Sequence, residues 1–148
     1  MNTIILILFI MMFLHIYVDF NLQIGSSLNN LKQKDWWRHN CNKSQYKYDY
    51  IMAMLLHSFS WTFGIMFAPV LYLKIKTGYS NSTIFINCFI ILLFVINAVA
   101  HYIIDNLKAN DHVINLWVDQ IGHIIQILIT WFILLHIIYP FITKNIWV

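Results

Sequence analysis

Charge is scarce in this chain. Asp, Glu, Lys and Arg together make up 10% of its 148 residues, against about 25% in a soluble domain. Hydrophobic residues reach 60%, which excludes an ordinary water-soluble globule and leads to an integral membrane protein. Only two cysteines occur, Cys41 in a polar stretch and Cys88 inside an apolar run, without C-x-x-C spacing. That argues against a disulfide. The net charge of +3 is too small and too local to call for a nucleic-acid partner. The first apolar run lacks a preceding Lys or Arg and a following small-x-small site. It is therefore read as a transmembrane helix and not as a cleavable leader.

What the chain does have is four apolar runs of the roughly 20 residues that a bilayer crossing takes. They cover residues 3–24, 49–74, 83–107 and 114–140. The expected fold is all-α: a single-domain integral membrane four-helix bundle made of two helical hairpins. Gly25, Ser26 and Ser27 are expected to end the first helix, and residues 75–82 to form a turn. Residues 28–48 mix Lys32, Lys34, Arg38, Lys43 and Lys47 with Trp36, Trp37, Tyr46 and Tyr48. Aromatic rings among basic residues suit the headgroup region, so a short amphipathic segment lying on the membrane is expected here. In the second run Ala53, His57, Gly64 and Ala68 share a face that allows close helix approach. Pro69 is expected to kink that helix. A weak repeat relates the halves: the first helix of each hairpin ends in His-x-x-x-Asp, and the second carries a histidine in its first half.

The polar residues inside these runs agree in depth. His15, Asp19 and Gln23 end the first run, and His57 opens the second. Asn97, His101, Asp105 and Lys108 form a stripe that ends the third, and Asp119, Gln120 and His123 open the fourth. Residues three or four apart share a helix face, and in an antiparallel bundle all of these lie towards one membrane surface. The loops on that side carry Lys32, Lys34, Arg38, Lys43, Lys47 and Lys108; the other side carries Lys74, Lys76 and Lys144. The positive-inside rule then makes the polar face cytoplasmic and places both termini outside. His39, His112 and His136 fall outside the cluster.

A carboxylate at mid-bilayer costs roughly 2.5–3.5 kcal/mol. Asp19, Asp105 and Asp119 are sunk in this way, and Lys108 is the only basic side chain expected to pair with them. Two uncompensated charges call for a divalent cation. The imidazoles of His15, His57, His101 and His123 and the three carboxylates make an N/O donor set. Such a set suits Zn first, and also Mn, Fe or Ni. Seven donors exceed the four of a tetrahedral zinc and would hold one or two ions, a carboxylate-bridged pair included. A metal of this kind draws the pKa of bound water towards about 7. Lys108 is placed to stabilise an oxyanion or hold a phosphate, and Gln23 and Gln120 to orient water.

In order, the pattern reads His15, Asp19, Phe20 and Gln23; His57; His101, Asp105 and Lys108; Asp119, Gln120 and His123. It resembles a family of small bacterial and phage membrane proteins known as a domain of unknown function, and it spans nearly the whole chain. It is also distantly similar to membrane-bound metal-dependent hydrolases, which place His and Asp in short apolar helices; that likeness implies hydrolysis. The sequence thus leads to an intramembrane metal-dependent hydrolase at the cytoplasmic surface, among membrane lipids. Its substrate would be anionic, lipid-linked or phosphate-bearing. A metal-ion or proton carrier, a non-catalytic subunit with a structural metal, and assembly into a homo-oligomer stay open.

Overall fold

The computed structural model describes residues 3–21, 28–41, 44–77 and 83–140. Among them no strand occurs, and four helices are long and apolar enough to cross a membrane. The first is α1 (Thr3–Ile16), continued by a π-helical turn over Tyr17–Asn21. Two short helices follow, α2 (Leu28–Leu31) and α3 (Lys34–Asn40). Then come α4 (Asp49–Thr77), α5 (Thr83–Ala109) and α6 (Leu116–Phe132), the last extended by a second π turn over Ile133–Ile138. Helix α4 packs on α1 and α5, α6 packs on α5, and α6 closes the ring against α1. The chain is therefore an all-α bundle, as its four apolar runs imply. Gln23, the break at residues 25–27, Lys43, residues 78–82 and the tail after Pro140 lie outside the described residues.

Each long helix turns one stripe inward and leaves the rest outside. Helix α1 buries Ile7, Met11 and His15, and α6 buries Asp119, His123, Ile127 and Thr130. Phe9, Phe13, Phe63, Ile91 and Ile125 are exposed. In water such an exterior would drive aggregation. In hydrocarbon it is tolerated, and the polar groups are the ones that must face inward. The interior has two ends. Ile7, Leu73, Ile86, Leu134, Leu135 and Ile138 pack into an apolar core at the start of α1 and α5 and the end of α4 and α6. The buried His and Asp residues lie at the opposite helix ends.

Two junctions hold the polar end together. Helix α4 runs through Pro69 without a break, so the expected kink does not interrupt it. Asn115 caps α6, its side chain accepting from Val118 N at 3.0 Å. His112 takes a left-handed φ of 54°, which closes the short α5–α6 corner. The amphipathic segment forms the short helices α2 and α3. Asn110 at that corner ties the segment to the bundle: its side chain accepts from Lys34 N at 2.7 Å and donates to Lys32 O at 3.3 Å.

Helix α4 approaches α1 and its π turn closely at Gly64, where an added Cβ would lie 3.3 Å from Val18 Cγ2. Gly64→Leu should destabilise the bundle by roughly 1–3 kcal/mol through overpacking. Gly64→Ala should cost clearly less, because Val18 has to yield only slightly. Thermal unfolding of both variants in detergent checks this.

Candidate metal centre

The helix ends bring the expected residues into one cluster. His15 comes from α1, Asp19 from its π turn, His57 from α4, His101 and Asp105 from α5, and Asp119 and His123 from α6. His15, His101, Asp105, Asp119 and His123 are buried, and the side chains of Asp19 and His57 are only 7% and 10% exposed. A π turn inserts a residue into the helical register and is frequent at functional sites. Here it carries Asp19 to the bundle centre while keeping its Oδ2 at 3.4 Å from His15 Nδ1.

Three donor atoms from three helices form a triangle. His57 Nε2 is 3.1 Å from His101 Nε2 and 3.3 Å from Asp19 Oδ1; His101 Nε2 is 3.9 Å from Asp19 Oδ1. Ligands bound at about 2.0–2.1 Å to a tetrahedral ion stand about 3.4 Å apart, so the triangle has the size such an ion requires. Asp19 Oδ1 is buried and makes no well-aligned hydrogen bond among the described residues; its contact with His57 Nε2 is 3.3 Å. Leaving a charged acceptor in that state costs upwards of about 1–3 kcal/mol, and a cation removes the cost. A second group shares His101 and adds Asp105 and His123. These buried His and Asp groups could hold a metal ion.

The neighbouring contacts constrain which ring nitrogens carry protons. A carboxylate can only accept, so His123 Nε2, 3.2 Å from Asp105 Oδ1, carries a proton and donates it. In a neutral His123, Nδ1 then accepts from His101 Nδ1 at 3.2 Å. In that tautomer His101 Nε2 is bare and faces His57 and Asp19. Trp61 Nε1 donates to His15 Nδ1 at 2.9 Å, which makes that nitrogen an acceptor. The fully buried Trp61 ring also lies flat on His101, with centroids 4.2 Å apart and planes at 18°. Trp61 thus orients two of the four histidines and closes the cluster towards the apolar end of the bundle.

Sequence reasoning missed two residues. Lys32, expected among the headgroup charges, is 5% exposed and its ammonium meets Asp105 Oδ2 at 2.9 Å. Lys108 is therefore not the sole basic partner of the aspartates: two ammonium groups face three carboxylates, and one negative charge is left over. Nothing in the spacing distinguishes Lys32 from Lys34 or Lys47. Trp61 is the other; one turn after His57, it looks like any aromatic in an apolar helix. Lys108 and Gln120 both bond Asp119 Oδ2, so in this arrangement they hold a carboxylate rather than a substrate. Asp119 Oδ1 lies 3.4 Å from His123 Nε2. His15 and Asp119 border the donor groups without belonging to either. Gln23 lies outside the described residues.

No protein-family model, curated protein or solved structure matches this chain. Deeper in the bundle a separate network joins α5 to α6: Gln126 Nε2 and Thr130 Oγ1 both donate to Asn97 Oδ1 at 2.9 Å. Among the described residues the buried side chains beyond Thr130, Leu134, Leu135 and Ile138 among them, are apolar.

Trp61→Phe keeps a ring against His101 and removes the N–H to His15. It should cost roughly 1–3 kcal/mol, the penalty for a buried acceptor left without its donor. Trp61→Ala, which also opens a cavity, should cost roughly 3–5 kcal/mol. Unfolding of the two variants in detergent separates the hydrogen bond from the packing.

Proposed function

We propose that this chain is a membrane-embedded hydrolase that uses one divalent ion, zinc first among the candidates, held by Asp19, His57 and His101. The observation that carries this reading is the buried triangle of Asp19 Oδ1, His57 Nε2 and His101 Nε2, with edges of 3.1, 3.3 and 3.9 Å. Three protein ligands with a fourth position open are the pattern of catalytic zinc sites, whereas structural sites are closed by four. The charge balance favours a single ion. Lys32 and Lys108 pair with Asp105 and Asp119, so one ion leaves a single positive charge. Two would leave three in a low-dielectric interior, where unpaired charge is costly.

Such an ion supplies Lewis acidity and draws the pKa of a bound water towards about 7. Asp105 is placed to take the proton that this water gives up. Its Oδ2 lies 3.3 Å from His57 Nε2, beside the triangle. Its two oxygens are held by His123 at 3.2 Å and Lys32 at 2.9 Å, which fix the carboxylate's orientation. Asp119, anchored by Lys108 and Gln120, stands behind His123 and favours its Nε2–H form. A carrier would need polar groups through to the far surface, and among the described residues the buried side chains beyond Thr130 are apolar, which favours an enzyme over a carrier. The loop charges in the sequence support a cytoplasmic site by the positive-inside rule.

Elemental analysis of protein purified with zinc should find about one ion per chain. Asp19→Ala, His57→Ala and His101→Ala should each lose it, while His39→Ala and His136→Ala should keep it. Asp105→Asn should retain the metal and slow hydrolysis of an activated ester by about 10²–10⁴-fold, the usual worth of a general base. Protein without metal after supplementation would sink this reading.

A further inference from the structure

Among the described residues of the polar segment 28–48, Lys32 is the one charged side chain that is buried. Its placement is imposed by the backbone around it. Lys32 O and Lys34 N are both held by the Asn110 side chain, and Leu31 O accepts from the Trp37 indole at 2.8 Å. The ammonium delivered in this way has three N–H donors, and Asp105 Oδ2 is its only acceptor among the described residues. Spare donors on a buried charge are costly, and the carboxylate oxygen that holds this ammonium, Asp105 Oδ2, lies 3.3 Å from His57 Nε2 of the triangle. Together they make a place for an oxyanion.

The charge balance says which kind. This step rests on the proposed single-ion reading, under which the cluster carries one surplus positive charge. A monoanion closes that balance and a dianion overshoots it. Among hydrolysable groups, carboxylic esters and amides are neutral. Phosphomonoesters approach two negative charges near pH 7, since their second pKa is about 6. A phosphodiester carries one. We propose that Lys32 together with the Asp19–His57–His101 group binds a phosphodiester, and that Lys32 sets this specificity. In the reaction, a water oxygen forms a new bond to phosphorus and the bond from phosphorus to one alcohol oxygen breaks. The water's proton passes by way of Asp105 to that alcohol, so the products are a phosphomonoester and an alcohol. The diester could belong to a lipid headgroup or to a soluble molecule; the chemistry of recognition is the same.

The test uses the full chain in neutral detergent, loaded with zinc and checked by elemental analysis. Calorimetric titration with diethyl phosphate should show binding, methyl phosphate should bind more weakly, and neutral triethyl phosphate should not bind. Lys32→Gln should weaken diethyl phosphate binding by about 10–100-fold, the range for a hydrogen bond to a charged group, at unchanged zinc content. Lys32→Arg should recover part of it. Turnover of dihexanoyl phosphatidylglycerol but not bis(4-nitrophenyl) phosphate assigns the lipid source, and the reverse assigns the soluble one. Zinc-loaded protein that binds triethyl and diethyl phosphate equally overturns the inference and leaves the metal reading standing, as does an unchanged affinity in Lys32→Gln. Protein without zinc overturns both. If Lys32→Gln fails to fold, the native protein's preference between diethyl and triethyl phosphate decides the matter alone.

Discussion

Three carboxylates buried at the polar end of an apolar bundle must each find positive or donor partners, and this requirement organises the molecule. No helix satisfies its own aspartate alone. Asp19, in the π turn after α1, faces His57 from α4. Asp105 of α5 is held by Lys32 from the α2–α3 segment and by His123 from α6. Asp119 of α6 is held by Lys108 from α5. In lipid, apolar contact between helices gains little over contact with acyl chains. Crossed polar pairs of this kind therefore do much of the work of joining specific helices in a specific rotation.

The two ends of the bundle do different things. The apolar end, from Ile7 to Leu73, Leu134 and Leu135, is filled by side chains alone and serves as packing. The polar end concentrates groups whose partners lie on other elements. Trp61 divides them, with its ring against His101 and its N–H on His15. It supplies a rigid apolar wall against His101 and a single well-aimed donor to His15. The same low dielectric that makes unpaired carboxylates costly makes the surviving pairs strong. A site built this way is fixed in geometry before anything binds.

Much of this was legible before the fold was known. In a background of Ile, Leu and Phe, a histidine and an aspartate four residues apart stand out. Three such pairs at matching depth predict convergence, and His15, Asp19, His57, His101, Asp105, Asp119 and His123 do converge. The roles within the cluster were less legible. Lys108 seemed the sole counter-charge because it alone continues a helical stripe. Lys32 comes from a segment whose docking depends on Asn110, 78 residues away, and no local periodicity encodes such a contact. The π turn at Tyr17–Asn21 is equally hidden in the sequence, since an i, i+4 pair looks the same whether the turn is α or π.

The order of apolar runs and the spacing of a few polar residues determined the class of fold, the number of membrane-length helices and the residues gathered at one end. Those features follow from local rules, the length of a bilayer crossing and the period of a helix, which act within a single run. Tertiary structure alone decided which carboxylate oxygen meets which nitrogen, that Lys32 is buried, and that His15 and Asp119 stand beside the donor groups instead of within them. These depend on the rotation and closeness of separate helices. Packing at Gly64, the α5–α6 corner and the Asn110 clamp sets that rotation jointly, and no one stretch of chain contains it.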